Sequence, residues 1–459
     1  MITLKASEIA AIVNGVLSGG DVSITSNPVI NSSDAQPGSL FIAIPGERVD
    51  GHDFAADAIS HGAVIVLASR KIAEPHILVT DTVVALGLLA REVRRRLANL
   101  TVIAVTGSQG KTTSKELMFS LISQHGATVA PQGNFNNEIG APLSLLRCDE
   151  ATKYCIIEMG ARHIGDISSL CAIAEPNIGV VLRVGAAHVG EFGGIEKVAQ
   201  AKSELISSLP DSAVAILGTY DPFTPAMAKL HTGKVVTFGE SSGVDIRATD
   251  IEPREGRAHF DLVTPEGRAS VGLRLLGLHQ VSNALAAAAV AREIGMSVDA
   301  IAGGLSMAES QASMRMELHE LPDLAVINDT YNASPDSMEA ALRTLVLIAQ
   351  ERGGESWAFL GAMRELGESS SSEHQAIGAL ARELGVDHLV CVATPEFAEG
   401  LSHDGAMSIH ICANQDEALK LAEELNRGDI VLLKGSRSER LELLYKEIET
   451  MWLQKVGSA

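Results

Sequence analysis

One segment restricts the fold more than any other: Val105-Thr106-Gly107-Ser108-Gln109-Gly110-Lys111-Thr112-Thr113. It follows a short apolar run, Val102-Ile103-Ala104-Val105, of the kind buried in a parallel sheet. It precedes an amphipathic stretch carrying Leu117, Leu121 and Ile122. Glycines let the backbone turn tightly, so its N–H groups can surround phosphates. A helix N-terminus adds partial positive charge, Lys111 adds a full one, and a hydroxyl can reach Mg²⁺. The spacing is Gly-x-x-Gly-Lys-Thr-Thr, two residues shorter than the common phosphate-loop form.

Around this loop the strand-like runs Tyr154–Ile157, Ile178–Leu182, Ala213–Leu217 and Val235–Phe238 alternate with helical patterns, which predicts a doubly wound α/β sheet. The stretch Ser242 to Leu275 alternates like an antiparallel flap, and an Ala-rich helix from about Val281 to Ile294 is expected to close this unit. The chain has 459 residues, enough for several domains. Three are expected: 1–98, a small mixed α/β unit; 99–313, the phosphate-loop unit; and 314–459, a second α/β unit. The first has strands at Ser39–Ile44 and Ala63–Leu67, and a basic helix, Arg91 to Arg96, reads as its connector. Ser7 reads as the cap of an N-terminal helix. The third has strands at Leu324–Ile327, Trp357–Leu360, His388–Val392 and Ile430–Leu433, and Ser369–Ser372 reads as an exposed loop.

Lys+Arg 36 against Asp+Glu 57 gives a net charge of −21. That argues against a general nucleic-acid binder and against a binder of anionic lipid surfaces, both of which need a basic face. Five cysteines without a Cys-x-x-Cys pair suit scattered reduced thiols. The longest apolar run, Ala284 to Ala291, is far below the ~18 residues that span a bilayer. A soluble, cytoplasmic protein with no membrane span is expected.

Glu158 ends the apolar strand Tyr154–Ile157, where phosphate-loop proteins place a second Mg²⁺ ligand. His188 follows the strand Ile178–Leu182 at the ligand-binding edge of the sheet. Lys202, in Ala201-Lys202-Ser203-Glu204, taken alone reads as readily as a solvated helix lysine. In this order, with His279 and Asn283 following, these motifs resemble the Mur ligases, the ATP-dependent amide-forming enzymes of peptidoglycan precursor synthesis. The resemblance covers essentially the whole chain. It implies an N-terminal domain for a uridine nucleotide, a central ATP domain, and a C-terminal Rossmann-like domain for the incoming amine.

Several segments are similar to those of the member that adds D-alanyl-D-alanine to a UDP-N-acetylmuramoyl-tripeptide: Pro37 to Phe54, Asn134 to Pro142, Asp329 to Pro335, Glu365-Leu366-Gly367 and Lys434 to Arg437. The resemblance implies ATP on Gly107, Ser108, Gln109, Gly110, Lys111, Thr112, Thr113, Asn283, Arg315, Asp329 and Asn332. It implies substrate contacts from Ser32, Arg48, Asp50, Gly51, His52, Asn134, Asn136, Asn137, Lys434, Ser436 and Arg437. Two Mg²⁺ ions are implied on Thr112, Glu158, His188 and Lys202, with Lys202 carbamylated. Lys111, His188 and Lys202 are the implied catalytic groups, and a monomer is expected. Ile30-Asn31-Ser32-Ser33 departs from the family's Asp-Ser/Thr-Arg, and His279-Gln280 from its His-Asn. A folylpolyglutamate synthase would carry its phosphate loop nearer the N-terminus. A diamino-acid ligase would carry Asp-Asn-Pro-Arg, and a GTPase Asn-Lys-x-Asp; neither string occurs.

Overall fold

The computed structural model describes residues 1–46, 49–131, 133, 135–185, 189–309, 313–402 and 405–457. Arg48, Asn134 and His188 lie outside the described residues. Three main sheets carry the chain. The first has the order Val16–Ser18, His76–Leu78, Ala63–Ala68, Ser39–Ile42, with only the first pair antiparallel.

The central sheet has nine strands. Its parallel part runs Lys234–Gly239, Val214–Gly218, Ile178–Val181, Thr101–Thr106, Tyr154–Glu158, Thr128–Val129. The chain leaves Thr101–Thr106 toward one edge and later returns to build the other. The phosphate loop therefore sits at the topological switch point, outside the carboxyl ends of the strands. The stretch expected as a flap is instead part of this sheet. Ile246–Arg254 pairs in parallel with Lys234–Gly239, and Arg257–Thr264 and Gly267–Leu276 continue antiparallel. The Ala-rich helix Gln280–Glu293 does not close the unit, because the helix Val298–Met307 follows and packs against the outermost strand.

The third sheet has the order Glu317–Leu321, Leu324–Asp329, Ile430–Lys434, Ser356–Leu360, His388–Val392, Ser408–Cys412. Its two edge strands escape a search for apolar runs because polar residues interrupt them: Glu317, His319 and Glu320 in one, Ser408 and His410 in the other. Ser369–Ser372 is not a loop: a 3₁₀ turn, Gly367–Ser369, leads straight into the helix Ser370–Leu384. Nor does Ser7 cap the first helix. The Glu8 carboxylate accepts the Lys5 N–H at 3.0 Å, and Ser7 lies one residue inside.

The first domain has only a small apolar cluster of its own, around Phe41, Ala58 and Val66, and shares its larger one with the central domain. One apolar cluster runs from Leu4, Ile24, Leu40 and Leu67 through Leu86 and Leu89 into Val102, Leu145, Ile157 and Leu205. The bridging element is the helix Thr82–Arg96, of which the expected basic connector is the last turn. Buried Arg94 donates to Ala174 O (3.2 Å), Glu175 O (3.2 Å) and Asn177 Oδ1 (2.9 Å). The same Asn177 oxygen accepts the Val102 N–H at 2.8 Å, which ties the connector to the central strand. The third domain packs its sheet between two clusters of its own. All five cysteines are buried and free. Among the described residues no helix is long and apolar enough to cross a membrane.

Candidate active site

A cleft of about 1020 Å³ opens between the central sheet and the third. Its floor is the phosphate loop. Gly110 adopts φ 77° just before the helix Lys111–Ile122, and a Cβ there would lie 2.2 Å from Asn283 Oδ1. Only glycine permits that turn against its neighbour. Asn283 is held in place by Ser114 Oγ (3.2 Å) and by its own amide on Gln280 Oε1 (2.8 Å). Ser108 locks the loop to the next strand: its N–H donates to Arg183 O at 2.9 Å, and its Oγ accepts the Gly185 N–H at 2.9 Å.

Lys111 Nζ donates to Gly107 O at 2.7 Å, folded back over the loop. Burial holds its ammonium below the usual lysine range, and Glu158 partly restores it. Beside it Thr112 Oγ1 donates to Glu158 Oε2 at 3.1 Å, and Asn136 Nδ2 donates to Glu158 Oε1 at 2.9 Å. A hydroxyl and a fully buried carboxylate, both hard oxygens, thus meet at the phosphate end of the cleft. Lys202 lines the same space from the helix Ile195–Ser207. Its side chain is buried. Burial first, and the Lys111 charge second, push this amine well below the ordinary lysine range. Two donors, Gln109 Nε2 and Arg183 Nε, are buried here without a partner among the described residues. Buried donors in native proteins are nearly always paired, so these await a ligand.

The third domain supplies the far wall. Asp329 and Lys434 are register partners on adjacent parallel strands. Lys434 Nζ donates to Asp329 Oδ2 (2.6 Å) and to Asn332 O (2.9 Å), while Asp329 Oδ1 accepts the Met316 N–H at 3.2 Å. Arg315 stacks over the Tyr331 ring, 3.9 Å from its centroid. Burial pushes His279 down to about 4.

The cleft therefore gathers Ser108 to Thr113, Asn136, Asn137, Glu158, Lys202, Asn283, Arg315, Asp329, Asn332 and Lys434. Gly107 lies directly behind it. Asn137 turns its Oδ1 to the Gly140 N–H at 3.0 Å, capping a short helix. Ser32, Asp50, Gly51, His52, Ser436 and Arg437 do not line it. Ser436 Oγ accepts the Arg364 N–H at 2.9 Å, and Arg437 pairs with Glu442 at 2.7 Å. In the first domain Asp50 Oδ1 accepts both His52 N (3.0 Å) and His52 Nδ1 (2.6 Å), which holds its carboxyl below the usual range. His52 Nε2 accepts the Ser69 N–H at 2.9 Å, so the ring proton sits on Nδ1. Ile30 reaches the cleft from this domain. Sequence reading missed Arg183 and Tyr220, which line the cleft from positions that no local motif marks; Gln280 and Tyr331, inside motif segments, line it too.

Family profiles agree with this layout. The Mur ligase family catalytic domain matches residues 27–102, the Mur ligase middle domain 105–291, and the Mur ligase glutamate ligase domain 314–437. The UDP-N-acetylmuramoyl-tripeptide–D-alanyl-D-alanine ligase of Mycobacterium tuberculosis (strain ATCC 25618 / H37Rv) is 40% identical over 96% of each chain. That of Escherichia coli (strain K12) is 34% identical over 98% of this chain and 99% of its own. A crystal structure of MurF from Acinetobacter baumannii superposes with a TM-score of 0.90 at 33% identity, covering 98% of this chain and 99% of that one. The MurF ligase of Thermotoga maritima in complex with ADP gives 0.82 at 31%, covering 94% and 99%. Motif order, cleft and whole-length similarity coincide: the chain belongs to the Mur ligase family.

Proposed function

We propose that this protein is the ATP-dependent ligase that joins D-alanyl-D-alanine to UDP-N-acetylmuramoyl-tripeptide, making the UDP-muramoyl-pentapeptide precursor of peptidoglycan. ADP and phosphate are the other products. The observation that carries the reading is whole-length likeness to relatives of that name, joined to a cleft whose floor is built for phosphates. We take it as a cytoplasmic monomer.

The tripeptide carboxylate attacks the γ-phosphorus of ATP, ADP leaves, and an acyl phosphate forms. The amine of D-alanyl-D-alanine then attacks the acyl carbon, and phosphate departs from the tetrahedral adduct. Two anions must meet in the first step, so preorganised cations have to offset their repulsion. Lys111 rests on Gly107 O, within reach of phosphates lying in the loop. Gln109 and Arg183 bring buried donors that are unpartnered among the described residues. Asn283, Arg315, Asp329 and Asn332 would orient the nucleotide. Lys434 would act on the substrate side, through its grip on Asp329.

Thr112 and Glu158 would hold one Mg²⁺, whose donor preference their oxygens fit. When bound, it supplies positive charge to the transferring phosphoryl group. Lys202 and His188 would hold the second. A bare ammonium would repel a cation. Burial disfavours that ammonium and so favours the free amine, the form that takes up CO₂ to become a carbamate. Ser32, Arg48, Asp50, Gly51 and His52 are assigned to the uridine nucleotide, Asn134, Asn136 and Asn137 to the tripeptide, and Ser436 and Arg437 to the amine. The test is phosphate release from ATP with UDP-muramoyl-tripeptide and a panel of amines. Turnover with single amino acids but not with D-alanyl-D-alanine would sink the assignment.

A further inference from the structure

Lys115 is a buried charge for which the chemistry above has no use. It lies three residues beyond Thr112 on the helix Lys111–Ile122, and so on a neighbouring face of the same helix. Its Nζ donates to Pro131 O at 3.0 Å and to Gly133 O at 3.4 Å. Both carbonyls belong to the segment that leads into Asn136. Burying an ammonium on neutral carbonyls alone is costly, so a lysine kept there must fix something. What it fixes is visible two links further on. Asn136 O accepts the Gly160 N–H at 2.8 Å, and Asn136 Nδ2 holds Glu158 Oε1 at 2.9 Å. Thr112 holds the other oxygen of the same carboxylate. One helix thus governs both oxygens of Glu158: Thr112 touches one directly, and Lys115 reaches the other through the segment that carries Asn136.

We infer that Lys115 is a positioning residue for Glu158, clamping the backbone at Pro131 and Gly133 so that the Asn136 amide fixes the rotation of the carboxylate. The inference rests on the proposed phosphoryl-transfer role of Glu158, but the clamp itself is testable without any substrate. In the ligand-free protein, Lys115→Met is expected to speed amide hydrogen exchange at Gly160 and across 136–140 by about tenfold, the scale of one lost hydrogen bond to a charged group. The Ser114 amide, bonded to Gly110 O inside the helix, should not change.

In turnover assays Lys115→Met should raise the Mg²⁺ concentration for half-maximal rate by about tenfold and leave the KM for D-alanyl-D-alanine within about twofold. Asn136→Ala should do the same. The double variant should be no worse than the poorer single, because both act through one amide. Lys115→Arg, which keeps a cationic donor, should retain at least about a third of wild-type activity. If Lys115→Met does not fold, Lys115→Gln takes its place. Unchanged exchange at Gly160 overturns the clamp. Multiplicative losses in the double variant, or an equal rise in the KM for the dipeptide, overturn its route through Asn136. A wild-type protein inert toward the muramoyl substrate, yet showing the exchange effect, would fail the functional reading and leave the clamp standing.

Discussion

The phosphate end of the cleft and the Asp50–His52 corner of the first domain use the same kinds of residue in opposite ways. At the corner every polar group is answered locally. Asp50 takes two bonds from His52 and a longer contact from Arg70 (3.4 Å), and His52 takes one from Ser69. In the cleft the groups are left short. Among the described residues Gln109 and Arg183 have buried donors without partners, Lys111 leans on one carbonyl, and Lys202 is buried with its charge disfavoured. A closed polar network shapes a surface, whereas an open one waits for a ligand to complete it. The two regions should therefore respond differently to the loss of a side chain.

The largest contrast is expected at Lys111. Lys111→Ala should abolish ATP-dependent turnover, at least about a 100-fold loss for ~3 kcal/mol of transition-state stabilisation, and leave the thermal transition within a few degrees of wild type. Phosphate release and a melting curve on the same sample decide it. A folded variant with an unchanged rate would erase the distinction. Lys202→Ala should be nearly as inactive, yet recover with added short-chain carboxylic acids that occupy the place of a carbamate. Lys202→Arg should not recover, because its guanidinium stays cationic and fills the space. A free amine by mass analysis under bicarbonate, together with a near-normal rate in Lys202→Ala, would return Lys202 to an ordinary role. At the closed corner the smallest effect on chemistry is expected. His52→Ala leaves the Ser69 N–H and the Asp50 carboxylate unanswered, which should cost about 1–3 kcal/mol of stability. It should raise the KM for the uridine nucleotide while kcat at saturation stays within about twofold. A collapse of kcat at full saturation would show that the corner takes part in the chemistry after all.

What could be read from the sequence was what is contiguous in it. Strand, glycine turn, Lys111 and Thr112 fall within a dozen residues, and a bond between Thr112 and Glu158 follows once the strand ending at Glu158 is seen to neighbour Thr101–Thr106. The contacts that complete the site are long-range. Lys434 meets Asp329 across 105 residues, and Arg94 meets Asn177 across 83. Nothing local in either partner announces the other. The misread elements fail for stated reasons. Ser370 to Ser372 opens a helix whose inner face, His374, Ile377 and Ala381, is buried, so packing overrides a polar start. The supposed flap became sheet because its first strand found an open edge at Phe238 and Gly239.

The shared core beneath the first two domains makes the chain unequally divisible. A gene cut after residue 98 would part Leu97 from Leu100 and strip a common apolar face from both fragments, leaving each prone to aggregate. A cut after residue 313 would free a fragment whose two apolar clusters draw on the preceding chain almost solely through Leu276. Of the three domains, the last is the one that could be lifted out, expressed by itself and exchanged between relatives.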